Sequence, residues 1–125
     1  MAAVTLLVGS TRMAPGGSTV SYVADYRDHA GASAERFFKS TLFHSGRLLL
    51  GLNCLEPGQA QAVHDHADQD KFYFVVEGEG AFTVGAETRS AGPGLAVGAP
   101  AGVEHGVANA GAVRLVLLVG IAPSP

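Results

Sequence analysis

Short apolar runs, each closed by turn residues, set the pattern of this chain. Val4–Val8, Thr19–Val23, Arg36–Phe43 and Arg47–Leu55 read as strands in the first half. Gln61–His66, Lys71–Glu77, Ala81–Val84, Glu87–Ser90, Leu95–Val97, Val103–Asn109 and Val113–Val119 follow. Between them stand Ala14-Pro-Gly-Gly17, Ser45-Gly46, Glu56-Pro-Gly58, Gly78-Glu-Gly80, Gly92-Pro-Gly94 and Ala110–Ala112, where glycine and proline favour turns. Arg27–Ser33 and Ala67–Asp70 are polar and read as loops. Ala81–Val84 and Glu87–Ser90 flank Gly85 as a hairpin. No segment carries a helical period, and no repeat or linker stands out. Many short strands at this spacing predict a single all-β domain, a sandwich or barrel.

Alternation along Lys71–Glu77 places Lys71, Tyr73 and Val75 on one face and Phe72, Phe74 and Val76 on the other. Both faces are then covered, the outer one by N-terminal strands or a second subunit. On Arg47–Leu55, Asn53 and Cys54 face opposite ways, so one of them at most faces an interior pocket.

Composition narrows the function classes. The chain has 125 residues, 47% of them hydrophobic and 15% charged, enough for one packed core. Net charge is −3 with no cluster of Lys or Arg, which argues against nucleic acid or an anionic membrane as partner. Cys54 is alone, so no internal disulfide forms, and it reads as a small apolar filler. Met1–Gly9 is apolar but short and without a basic leader, and no stretch is long enough to span a bilayer. The expectation is a soluble, cytoplasmic protein.

The candidate chemistry lies between Gly58 and Asn109. His64 and His66 are two residues apart, so on a strand both rings point the same way. His105, from another strand, completes a facial trio suited to a divalent transition metal with open positions for water or substrate. Asp65 and Glu104 stand next to these histidines and point away. His29 and His44 lack metal spacing.

Two motifs with matching internal spacing carry a family resemblance. Gly58, five residues, His64-Asp-His66, four residues, Lys71, six residues and Gly78 form the first. Gly94, five residues, Pro100-Ala-Gly102, two residues, His105, three residues and Asn109 form the second. The chain thereby resembles the cupin superfamily over roughly residues 36–119. The resemblance implies a double-stranded β-helix, or jelly-roll barrel, with residues 58–109 as motif core. Residues 1–35 become an N-terminal extension that packs on the barrel or on a dimer partner. It also implies a metal on His64, His66 and His105, the ion being Fe, Mn, Ni, Cu or Zn, and a homodimer.

The chain departs from the family at one position. The usual fourth ligand is Glu, and Lys71 stands there. An ammonium about 5 Å from a divalent ion would be repelled by roughly 6–7 kcal/mol at an effective dielectric near 20. Lys71 is therefore neutral, or turned toward Asp68 or Asp70, or balanced by a bound anion, or the pocket holds no metal. Gln69 or Asp70 are possible extra ligands if their loop folds inward. Lys71 and Tyr73 are the candidate catalytic residues, Lys71 as acid/base or anion clamp and Tyr73 as hydroxyl donor. Tyr73 also suits a core position with its hydroxyl satisfied. Two functions follow: a metal-dependent enzyme of the dioxygenase, isomerase or lyase kind acting on an anionic or carbonyl-bearing small molecule, or a non-catalytic barrel, with or without a metal, that captures such a molecule.

Overall fold

In the computed structural model, residues 22–125 are described, together with the backbone of two short strands, β1 (Arg12–Met13) and β2 (Thr19–Val20). The expected strand Val4–Val8 and turn Ala14–Gly17 lie outside the described residues. A 3-10 turn, Tyr26–Asp28, precedes the barrel. Nine strands then follow: β3 (Phe38–His44), β4 (Leu49–Leu55), β5 (Ala60–His64), β6 (Asp70–Glu77), β7 (Gly80–Val84), β8 (Glu87–Ala91), β9 (Ala96–Ala99), β10 (His105–Ala108) and β11 (Leu115–Ala122). Their order is β3-β4-β11-β6-β9 in a five-stranded sheet and β5-β10-β7-β8 in a four-stranded one, and every neighbouring pair in both is antiparallel.

The two sheets close on a core of Leu55, Tyr73, Val75, Phe82, Val107, Leu115, Leu117 and Val119. The alternation of β6 is kept: Lys71, Tyr73 and Val75 are buried while Phe72 and Phe74 face out. β11 runs down the middle of its sheet and is buried on both faces, which is why its sequence is continuously apolar. A second cluster, Leu52, Cys54 and Val116, lies on the outer face. Tyr26 and Ala30 pack over it. The Tyr26 hydroxyl donates to Glu77 (2.8 Å), Ser40 donates to the His29 carbonyl (2.7 Å) and Gln59 donates to the Ser33 carbonyl (2.7 Å). The outer face is thus covered at one end by the segment before β3. Phe72 and Phe74 remain 39% and 37% exposed.

Turn residues fix the strand ends. Gly78 has φ +79°, and a Cβ there would stand 2.3 Å from the Arg114 carbonyl oxygen, so only glycine fits between β6 and β11. Asn109, fully buried, donates to the carbonyls of Leu55 (2.8 Å) and Val113 (2.9 Å) and accepts from the Gly111 amide (3.0 Å). It closes the turn into β11, as its motif position suggests.

Candidate metal centre

β5 and β10 are neighbours, and their register sets His64 opposite His105. His66 lies two residues past the end of β5, not on the strand as its spacing had suggested. Its position is held through the backbone, since its carbonyl accepts from the Gly102 amide (2.8 Å) in the second motif. The three rings still converge, with centroids 4.9 Å (His64–His66), 4.6 Å (His64–His105) and 5.5 Å (His66–His105) apart.

Hydrogen bonding decides which nitrogens face the centre. His64 Nδ1 meets the Ala62 carbonyl at 2.8 Å, and His105 Nδ1 meets the Val103 carbonyl at 3.0 Å. A carbonyl only accepts, so both Nδ1 atoms carry the proton and both Nε2 atoms present a lone pair. His105 Nε2 is buried with no hydrogen-bond partner. Such an atom ordinarily costs about 1–3 kcal/mol, a cost that a coordinated ion removes. Burial, and then the neighbouring charges of His64 and Lys71, pulls the His66 pKa down; burial also lowers that of His105. Both rings therefore favour the neutral, ligating form.

One ligand atom from each of the three histidines lies within 4.8 Å of the others. A central point is then at most about 2.8 Å from each by triangle geometry, against about 2.0–2.1 Å for a bound ion, so a small inward movement of the rings completes the bonds. The residues fit a divalent metal. Among the described residues no acidic side chain joins this group. Asp70 accepts from the Ala101 amide (2.9 Å), and Gln69 donates to the Pro123 carbonyl (3.1 Å), so the structure does not bring these two possible extra ligands to the triad. Asp65 and Glu104 are exposed, as expected of residues pointing away.

Lys71 points inward and is 6% exposed. It is not turned toward Asp68 or Asp70, one of the alternatives the sequence leaves open. Its Nζ lies 3.4 Å from Gln61 Oε1 and 4.8 Å from the centre of the Tyr73 ring. Burial, with the charge of Lys39 second, lowers its pKa to about 8. Tyr73 is fully buried and its hydroxyl donates to the same Gln61 oxygen, and burial raises its pKa. Tyr73 thus holds a neighbour in place rather than offering a free hydroxyl.

The triad opens into a cavity of about 340 Å³, at the small end of ligand pockets. Lys39, Asn53, Gln61 and Lys71 line it with His64 and His66, and no acidic side chain does. Asn53 is the residue of its pair that faces in, while Cys54 packs in the outer cluster with its thiol pKa raised by burial. Sequence reasoning missed Lys39 and Gln61. Gln61 lies within the strand of the first motif, three residues before His64, and its type alone carries no ligand signal.

A barrel of two antiparallel sheets with three inward histidines at one end defines a double-stranded β-helix protein with a candidate metal site. The Cupin_2 model, the cupin domain, matches residues 51–120, and the chain belongs to that family. An uncharacterized protein of Streptomyces coelicolor is 46% identical over 56 residues, a match spanning 45% of this chain and about half (52%) of that protein's length. A Thermus thermophilus protein of known crystal structure superposes with TM-score 0.80 at 44% identity, over 82% of this chain and 98% of that one. A double-stranded β-helix protein from Klebsiella pneumoniae superposes with TM-score 0.79 at 21% identity, over 83% and 91% of the two chains, a likeness of fold alone.

Proposed function

We propose that this cupin holds a divalent transition metal on His64, His66 and His105 and binds an anionic or carbonyl-bearing small molecule beside it. The observation that carries the reading is His105 Nε2, buried and without a partner, at the meeting point of three imidazoles. A divalent ion there would supply Lewis-acid polarisation of a ligand oxygen, and iron or manganese would add redox chemistry.

The chain's own groups do the rest. In the metal-free chain Lys71 has a pKa of about 8, so it is mostly charged at pH 7 and offers an ammonium to the anionic end of a ligand. That anion offsets the repulsion between Lys71 and the metal, which explains how a lysine is accommodated at this position. Gln61 accepts from Tyr73 and Lys71 on one oxygen, so its amide N–H groups are left for the ligand. Under this reading Lys71 serves as proton donor or anion clamp in an enzyme of the dioxygenase, isomerase or lyase kind.

The first test is elemental analysis of untagged protein. Near-stoichiometric Fe, Mn, Ni, Cu or Zn is expected, falling well below half in His105→Ala while circular dichroism stays that of a folded barrel. Full occupancy in that variant would refute the ligand assignment. A chain that takes up no metal on reconstitution would be a metal-free binding barrel instead, with Lys71 as the permanent cation. Lys71→Ala is expected to weaken small carboxylates by about 10-fold or more, the value of one charged hydrogen bond, and to leave neutral analogues unchanged by calorimetry.

A further inference from the structure

The chain contains only two lysines, Lys39 and Lys71, and both line the triad's cavity. Its remaining cations are arginines, and Arg27, Arg89 and Arg114 each pair with an acid. Neither lysine has an acidic partner among the described residues, although the chain carries 11 acidic residues. The two sit at different depths. Lys71 is buried on β6, and Lys39 is exposed on β3. On β3, Phe38 and Leu42 pack into the outer cluster, which turns Lys39 and Thr41 to the cavity side. Lys39 is paired in register with Asn53, whose side chain is 5% exposed and makes no hydrogen bond within the described protein. The Lys39 charge is close enough to lower the Lys71 pKa.

Two ammonium groups facing one small cavity repel each other, and no acidic side chain lines that cavity to offset them. A ligand with an anionic group at each end would. We infer that the ligand of this cavity carries two anionic groups, one held at Lys71 beside the histidines and the other at Lys39 and Asn53 toward the rim. The inference rests on the reading of the cavity as an anion site and adds its second contact. Lys39 is then a specificity-determining residue, selecting a dianion over a monoanion of the same length.

Calorimetry at pH 7 and low salt tests this with matched pairs: succinate against butyrate, and glutarate against pentanoate. A phosphonate version, 3-phosphonopropionate, shows whether the rim prefers a carboxylate or a phosphoryl group. The wild-type protein is expected to bind each dianion about 10-fold tighter than its monoanion partner, an advantage of about 1.4 kcal/mol. Lys39→Gln is expected to bring that ratio close to one and Lys39→Arg to restore most of it. Because Lys39 is exposed, the ratio should also shrink in high salt. Binding of monoanions and dianions alike, or a ratio untouched by Lys39→Gln, overturns the two-anion inference while leaving Lys71 as the anion site. No binding by any of the acids overturns both.

Discussion

At the residue scale, Lys71 is where chemistry and stability pull apart. A buried ammonium is unfavourable, and its folded pKa of about 8 lies below the ordinary 10.5. Below pH 8 the lysine is charged in folded and unfolded chains alike, and the folded state bears the full cost. Between pH 8 and 10.5 the folded chain sheds the proton first, so the unfolded chain holds more protons and stability rises with pH. Lys71→Met is therefore expected to raise the Tm at pH 7 in the presence of chelator, with a gain that shrinks toward pH 10. A gain constant across that range would show that Lys71 is not desolvated. A residue kept at a stability cost is consistent with its use in binding.

Residue identities were legible to different degrees. The three histidines announce themselves, because two spaced motifs converge on one chemistry. Gln61 and Lys39 do not, because glutamine and lysine are ordinary surface residues and only their neighbours give them a role. Tyr73 was open to two readings from the sequence, and its bond to Gln61 favours the structural one.

At the element scale, turn residues and alternation located the strands from β3 onward to within a few positions. The boundaries moved where tertiary contacts prevailed. β5 ends at His64 because Asp65 and His66 leave the sheet to meet the Gly102 loop. The same scale offers a paired test of glycine. Gly78 and Gly58 both have positive φ, but only Gly78 is crowded, by the Arg114 carbonyl, and nothing lies within 4 Å of a Cβ at Gly58. Gly58→Ala is expected to cost about 1 kcal/mol from backbone strain alone, and Gly78→Ala at least about 3 kcal/mol. Urea denaturation of the two variants measures the difference. Equal losses would mean that the β6–β11 junction relaxes freely.

At the scale of the whole molecule, the outer face of the five-stranded sheet is covered by Tyr26 and Ala30 at one end, while Phe72 and Phe74 stay partly open. Side chains that bury about 150–250 Å² each are natural contacts for another surface. We propose that a second copy of the chain covers them, as the family resemblance also suggests. Light scattering is expected to give the mass of two chains, and Phe72→Ser with Phe74→Ser to give that of one. A wild-type mass of one chain would refute the dimer. Among the described residues no helix is long and apolar enough to cross a membrane.

The sequence by itself determined the fold class, the run of short strands and the histidine trio. Those features rest on local rules: alternation, turn chemistry, and spacings that survive any packing. Only the tertiary structure decided what surrounds the trio. Lys39, Asn53, Gln61 and Lys71 come from four different strands, and sheet register and barrel closure bring them to one cavity. Their convergence follows from which strands pair and in what register, a relation between distant parts of the chain that no local pattern carries.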